Sequence, residues 1–369
     1  MIEEFNRVVA NRHQVATEWK KKTGGKVIGV LCCSVPEEII HAAGMLPVRI
    51  MGAEEENTEA DLHFSTSVCP YCKSCFDQAL KGKYDYLDGL VIPNVCNMIK
   101  AMYGFSKLLL KIPFVHFLEV PQRLSENGVD FFAGELARFA RALQVFGGKP
   151  ISGQALTRSV SLYNENRTLL TKACEMRQRP VPLISGSEAQ EMVLASMLMP
   201  KEEHNRLLAG LLDNIGNRGD APQAGVRLFL SASILDNTSF LGQVEECGGM
   251  VVADDMPSGS RYFTGLVNER ERPLHALADR YLNKVACPRK MLPEERLTFV
   301  SAMLDGADVK GALVYSMRAC DPHLYEYPIL RQYLGERNLP VLFFRGEGTA
   351  AERDQHRADI EAFIEVLRG

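Results

Sequence analysis

Residues 27–48 read Val27-Ile28-Gly29-Val30-Leu31-Cys32-Cys33-Ser34-Val35-Pro36-Glu37-Glu38-Ile39-Ile40-His41-Ala42-Ala43-Gly44-Met45-Leu46-Pro47-Val48. The apolar run Val27–Leu31 is a buried-strand pattern. Behind it, Ser34 and Glu37 stand three apart with Pro36 between them, which predicts a capping box and a helix starting there. Gly44 stops that helix, and a second strand is predicted over Pro47–Met51. Strand, helix and strand at these lengths imply a crossover connection, hence parallel pairing and a layered α/β architecture.

The same alternation extends outward. Ile2, Phe5, Val9 and Trp19 predict one leading helix over 2–22, closed by Gly24-Gly25. Further strands are predicted at Leu87–Ile92 and Phe114–Leu118, with a helical stretch near 97–110 between them. From about 130 to 215 only helical periodicity remains: Phe131–Phe146, Gly153–Ala173, Ser187–Leu198 and Glu202–Leu212. Gly216–Gly225 reads as a linker. Strands then return at Val226–Ser231, Met250–Ala253, Ala312–Tyr315 and Val341–Phe344, with helices near 239–247, 274–284, 293–304, 323–335 and 350–367. The expected fold is α/β: two Rossmann-like domains with four-stranded, mainly parallel sheets joined by a helical segment. The expected boundaries are 1–130 for an N-terminal α/β domain with its leading helix, 131–220 for a helical connector and 221–369 for a C-terminal α/β domain. A local likeness supports the doubling, because Gly89-Leu90-Val91-Ile92 leads to Cys96-Asn97 as Gly311-Ala312-Leu313-Val314 leads to Cys320-Asp321.

Composition narrows the function classes. A net charge of −4 over 369 residues gives no basic face for nucleic acid. The longest apolar runs fall far short of the roughly 20 residues that span a bilayer. The start, Met1-Ile2-Glu3-Glu4, lacks the basic and apolar regions of a signal peptide. Neither nucleic acid, membrane nor secretion is expected, and the cytoplasm is the expected location. No P-loop or G-x-G-x-x-G fingerprint follows a strand, so this chain is not expected to hydrolyse ATP itself.

Ten cysteines carry the chemistry: Cys32, Cys33, Cys69, Cys72, Cys75, Cys96, Cys174, Cys247, Cys287 and Cys320. Clustered cysteines in a chain without a secretory signal point to metal or redox sites. Cys33, Cys96 and Cys320 each follow a predicted strand and precede a predicted helix, and Cys69 opens the helical stretch 71–80. Ligands of open parallel sheets bind beyond the strands' carboxyl ends, and helix N-termini stabilise thiolates and anionic clusters. Cys69-Pro70-Tyr71-Cys72-Lys73-Ser74-Cys75 is similar to the opening of a ferredoxin run, but no fourth Cys-Pro completes it. Structural zinc would want a second closely spaced pair. Widely spaced single cysteines suit an iron–sulfur cluster held between two domains, and three ligands would leave one iron open. Cys72 and Cys75 read as packing residues or auxiliary thiols, and Cys174 and Cys247, on helical faces, as packing residues.

The motif Val35-Pro36-Glu37-Glu38-Ile39-Ile40-His41-Ala42-Ala43-Gly44-Met45-Leu46-Pro47 resembles the signature of 2-hydroxyacyl-CoA dehydratase and benzoyl-CoA reductase subunits. The likeness extends to Cys69-Pro70, Asp88-Gly89-Leu90-Val91-Ile92-Pro93 with Cys96, Tyr163-Asn164-Glu165-Asn166-Arg167 and Cys320-Asp321-Pro322. The length is similar to that of the smaller, C-type benzoyl-CoA reductase subunit. By that resemblance Cys69, Cys96 and Cys320 each bind one iron of a 4Fe–4S cluster, or of part of a double-cubane 8Fe–9S cluster. Cys33 is a further candidate ligand. The implied function is the iron–sulfur subunit of an acyl-CoA dehydratase or a benzoyl-CoA-type reductase. A low-potential electron comes from a separate ATP-dependent iron–sulfur activator and forms a ketyl radical anion on the thioester, or the enzyme reduces an aromatic ring. The implied partners are an acyl-CoA and a homologous subunit, or a second copy of the chain, as a dimer. Two alternatives stay open: a homodimeric double-cubane reductase of small molecules, and a non-catalytic scaffold or electron-transfer subunit of a heterodimer. One departure is Asn97, where the family commonly has Asp. Glu38 and His41 are the candidate proton-handling residues, Glu37 and Ser34 being assigned to the capping box. Gly259-Ser260-Arg261 and Arg345–Gly348 read as flexible polar loops.

Overall fold

In the computed structural model, which describes residues 2–122, 124–284, 287–290 and 293–369, the leading segment is two helices, not one: α1 (Ile2–Ala10) and α2 (Arg12–Thr23). The break falls at Asn11, whose side chain donates to the Arg7 carbonyl at 2.9 Å beside its own backbone N–H at 3.0 Å. The first α/β half follows as β1 (Val27–Val30), α3 (Glu37–Ala42), β2 (Leu46–Arg49), α4 (Pro70–Leu80), β3 (Gly89–Pro93), α5 (Asn97–Leu109) and β4 (Phe114–Leu118). Four helices make the middle: α6 (Glu126–Gly147), α7 (Gly153–Gln178), α8 (Gly186–Ser196) and α9 (Lys201–Asn214). The second half comprises β5 (Val226–Ala232), α10 (Ser239–Glu246), β6 (Gly249–Asp255), α11 (Ser260–Phe263), α12 (Pro273–Asn283), α13 (Pro293–Asp305), β7 (Gly311–Met317), α14 (Asp321–Glu336), β8 (Val341–Gly346) and α15 (Ala350–Arg368).

The two four-stranded sheets share one strand order, β2-β1-β3-β4 and β6-β5-β7-β8. Every neighbouring pair is parallel, so the expected α/β class with two parallel sheets holds. In each sheet the chain first steps to one side and then crosses to the other. That places a topological switch point between β1 and β3, and another between β5 and β7.

Alternation along β1 explains the layers. Ile28 and Val30 pack with Ile39, Ile40, Phe132, Leu136 and Phe139 from α3 and α6. Val27 and Leu31 face the other way, toward Phe76, Ile99 and Met102 of α4 and α5. Helix α12, although it comes from the C-terminal third, lies in the first of these layers through Leu277, Tyr281 and Leu282. The second layer is shared between halves, since it continues into Leu228, Leu230, Leu313 and Met317. No helix among the described residues is long and apolar enough to cross a membrane.

Two local expectations are corrected. Ser34 does not cap α3: the N-cap is Pro36, with no side-chain bond, and Glu37 is drawn inward by distant partners. The motif's letters are realised instead at Ser185 and Glu188, where both halves of a capping box form. Residues 259–261 are no flexible loop. Ser260 and Arg261 begin α11 and are buried, because Asp254 and Asp255 bind them.

Candidate functional site

Both switch points are lined with sulfur. Cys32 and Cys33 follow β1, Cys96 follows β3, and Cys320 follows β7. Cys69, Cys96 and Cys320 occupy the same local position, the N-cap of α4, α5 and α14, and none uses a side chain of the usual capping kind. Serine, threonine, aspartate or asparagine would cap better, typically by about 1 kcal/mol. Three helices thus forgo a good cap to present a thiol.

Helix geometry turns backbone donors onto those thiols. Among the described residues none of the three sulfurs accepts a capping hydrogen bond, but the N–H groups of Tyr71 and Cys72 lie toward Cys69, those of Met98 and Ile99 toward Cys96 and that of His323 toward Cys320, each favouring the thiolate. Cys69 is brought down to about 7, chiefly by the hydrogen bond from the Cys72 thiol. Burial pushes Cys96 up and Cys320 to about 12, and the charge of Cys69 adds to both shifts. The three thiols therefore lie within one another's electrostatic reach, although 27 and 224 residues separate them along the chain. Among the described residues, no group of three or more His, Cys, Asp and Glu side chains is placed to hold a single metal ion.

Cys287 joins this neighbourhood. Its charge acts on Cys96, Cys320 and Cys32. The available signal was the dipeptide Cys287-Pro288, which repeats Cys69-Pro70 ahead of a helical turn. Cys72 and Cys75 are buried in the shared layer, Cys72 against Cys69 and Cys75 with its thiol 3.9 Å from the Ile50 carbonyl. Cys174 is buried on α7 in a separate cluster, and Cys247 ends α10 beside Glu361.

Cys33 sits in a cationic setting. The neighbouring Cys32 thiol, whose own proton points to Ser34 Oγ at 3.6 Å, chiefly holds it well below the ordinary cysteine range, with Lys284, Arg49 and Arg261 adding to the effect against burial. Lys284 also donates to the Cys33 carbonyl at 2.6 Å, and burial brings its ammonium down to about 8. Arg49, at the end of β2, is only 4% exposed, and its Nε and Nη2 have no hydrogen-bond partner among the described residues. Burial works against its charge, but Tyr71, Cys33, Cys32 and Glu37 more than offset that.

The two carboxylates of α3 are engaged inside the protein. Glu38 is fully buried, ion-paired to Arg167, and accepts from the Tyr281 hydroxyl at 2.8 Å. Burial opposes its charge, yet Arg167 and Arg280 hold it below the usual carboxylate range. Glu37 accepts from the Tyr262 hydroxyl at 2.7 Å, and Lys201 stands 3.8 Å away. Lys201 in turn donates to the Ser196 carbonyl at 2.5 Å and to Tyr262 at 2.9 Å, and burial lowers its pKa to about 8. His41 places its ring nitrogens 3.0 Å from Ser159 Oγ and 3.0 Å from Glu202 Oε1. The structure brings Cys33, Cys69, Cys96 and Cys320 to the sheet ends, while Glu38 and His41 are tied to α7, α9 and α12.

The family model described as "2-hydroxyglutaryl-CoA dehydratase, D-component" matches residues 32–367. The chain is 26% identical over 366 residues to the (R)-phenyllactyl-CoA dehydratase beta subunit of Clostridium sporogenes, covering 99% of this chain and 98% of that one. It is 25% identical to the C-type benzoyl-CoA reductase subunit of Thauera aromatica, covering 96% and 94%. It is also 25% identical to the (R)-2-hydroxyglutaryl-CoA dehydratase beta subunit of Acidaminococcus fermentans, covering 100% and 99%.

Proposed function

The chain belongs to the 2-hydroxyglutaryl-CoA dehydratase D-component family, and from that premise we propose that it is the iron–sulfur subunit of an enzyme acting on acyl-CoA thioesters. The reaction is dehydration of a 2-hydroxyacyl-CoA or reduction of an aromatic acyl-CoA. The observation that carries this reading is the placing of Cys69, Cys96 and Cys320 on three helix N-caps within reach of one another's charge. Sulfur ligands and helix N-terminal N–H groups are the chemistry that suits a 4Fe–4S cluster, and Cys33 adds a fourth thiol in a cationic setting. A cluster bound there would supply one-electron transfer at low potential.

The chain's own residues do the rest. The N–H groups that open α4, α5 and α14 neutralise part of the charge on the sulfurs. The layer around Phe76, Ile99 and Met317 keeps water away from them. Glu38 and His41 act as positioning groups: Glu38 with Arg167 and Tyr281 locks α3 under the turn that carries Cys32 and Cys33. The proposal includes an acyl-CoA substrate, a homologous subunit as partner, a separate ATP-dependent electron donor and a cytoplasmic setting. The partner is supported by relatives that are themselves single subunits of dehydratases and of a reductase.

Anaerobic purification followed by iron and acid-labile sulfide analysis tests it. About four irons per chain and broad visible absorbance are expected, whereas tightly bound zinc without colour would overturn the reading. Cys69→Ser, Cys96→Ser and Cys320→Ser should each lower iron content or shift the spectrum, and Cys174→Ser should not. Full iron and an unchanged spectrum in all three would refute the ligand assignment.

A further inference from the structure

Arg49 is the unexplained charge of the site. It ends β2, paired in register with Val30, and its backbone N–H donates to the Met197 carbonyl at 2.9 Å. The guanidinium is buried, and its Nε and Nη2 find no acceptor among the described residues. Buried polar groups, and charged ones above all, are nearly always satisfied in a stable fold, so such an exception calls for a partner. Glu37 is the nearby carboxylate, but its Oε2 is engaged by Tyr262 and Lys201 and neither Nε nor Nη2 of Arg49 bonds to it. What remains beside Arg49 is the sulfur pair Cys32-Cys33, with Cys287 linking Cys32 to Cys96 and Cys320.

The turn itself is built rather than relaxed. Cys32 has a φ of 73°, a left-handed conformation that residues other than glycine rarely adopt, and such turns concentrate at functional sites. Lys284 fixes the next residue by its carbonyl. Deep burial of Arg49 favours a partner built into the fold over one that must enter and leave. Arginine also suits the place, because its planar fork presents two N–H donors in fixed directions where lysine would offer a mobile point charge.

We infer that Arg49 is a positioning residue for the proposed iron–sulfur group, its free Nε–H and Nη2–H donating to sulfur on that group and raising its reduction potential. The inference rests on the functional reading above. Hydrogen bonds to sulfur and nearby positive charge stabilise the reduced, more negative state of such a cluster, which is the direction of the effect. No bond is made or broken by Arg49.

The test uses the full chain, loaded anaerobically, with iron and sulfide measured first and an EPR-monitored redox titration second. Wild type, Arg49→Gln and Arg49→Lys are compared. The expected result is equal iron in all three, a more negative midpoint for Arg49→Gln, and an intermediate one for Arg49→Lys, which restores the charge. Equal midpoints in the loaded variants overturn the inference and leave the functional reading intact. If Arg49→Gln does not fold or load, Arg49→Lys decides by pulsed EPR after exchange into D2O. Weaker coupling of exchangeable deuterons to the reduced cluster than in wild type supports the inference, and unchanged coupling overturns it. A wild-type chain that takes up no iron fails the functional reading, and the inference falls with it.

Discussion

The carboxyl ends of β2 and β6 occupy the same place in two sheets of the same strand order, yet one is left open and the other is closed. At the end of β6, Asp255 is ion-paired to both Arg261 and Arg296 and also accepts from Ser231 at 3.2 Å. Arg296 is in turn held by Glu326 at 2.6 and 3.0 Å. At the end of β2, Arg49 has two buried donors with nothing among the described residues to receive them. A charge that the chain satisfies with its own atoms belongs to the architecture. A charge that it buries and leaves unpaired points to something the chain does not contain.

The largest effect should come from opening the closed end. Asp255→Asn would leave two buried guanidiniums short of a counter-charge, and breaking a buried pair from one side costs about 3–5 kcal/mol. Urea unfolding of the iron-free chain measures it. A loss under about 1 kcal/mol would mean that the network is not the closed structure its bonds suggest.

The same experiment at the open end should give a much smaller number. Arg49→Met in the iron-free chain removes a buried cation that has no hydrogen bonds at two of its donors, and methionine is flexible enough to fill the space. A change within about 1 kcal/mol is expected, since loss of the charge and loss of its cost offset each other. A loss as large as that of Asp255→Asn would show that Arg49 already has its partner inside the chain, and the contrast would collapse.

These two ends also mark what could be read from the letters. The eight strands were legible because each is an apolar run of strand length bounded by turn residues. The cysteines stood out because they fall between a strand and a helix. Arg49 carried no such signal: it is one basic residue after Leu46-Pro47-Val48, and a strand end is an ordinary place for an exposed arginine. Glu37 misled for a different reason. Its spacing from Ser34 matches a local cap, but its partner Tyr262 lies 225 residues away, and its neighbour Glu38 is likewise held from afar, by Arg167 and Tyr281 at 129 and 243 residues. Local pattern cannot register a bond that exists only once α7 and α12 have packed on α3. Cys287 drew no assignment although it repeats the Cys-Pro pair of residues 69–70, because only a three-residue helical turn, Pro288–Lys290, follows it where a full helix follows Cys69.

Acid should separate the two ends again, with a moderate effect. His323 is buried behind Asp255, its Nε2 3.4 Å from Ser231 Oγ and its Nδ1 without a partner. Burial lowers its pKa from 6.5 to about 3. The folded state therefore refuses a proton that the unfolded state accepts, and stability falls as pH drops from about 6.5 toward 3, by up to ~1.4 kcal/mol per unit. Asp255 behaves differently. Its carboxylate is held below the ordinary 3.8, so its contribution is complete above that pH and declines only below it. Between pH 6.5 and 4 the acid sensitivity of this end belongs to His323, and His323→Gln should flatten the slope. His204, also lowered to about 3 by burial, leaves a residual slope of the same sign. An unchanged slope in the His323→Gln chain would mean that the ring protonates without leaving its place.

The smallest effect concerns the turns that both halves use to present sulfur. Among the described residues, four other than glycine have positive φ: Cys32, Asp308, Ala319 and Asn338. Asp308 and Asn338 are of the types that tolerate this conformation, whereas Cys32 and Ala319 are not. Each of the latter immediately precedes a candidate ligand, Cys33 or Cys320. At Ala319 (φ 63°) the turn lets the Cys320 N–H donate to the Met317 carbonyl at 3.0 Å and sets that cysteine at the N-cap of α14. Ala319→Gly removes a steric cost of about 1–2 kcal/mol but gives the unfolded chain freedom worth roughly 0.5–1 kcal/mol. The iron-free chain should therefore gain about 1 kcal/mol or less. Ala319→Val, with a branched side chain in the same conformation, should lose more than that, and urea unfolding of the pair reads the difference. If glycine destabilises and valine does not, the turn is not strained. The likeness between the two sulfur-bearing turns would then be one of position alone, without the shared backbone device that now joins them.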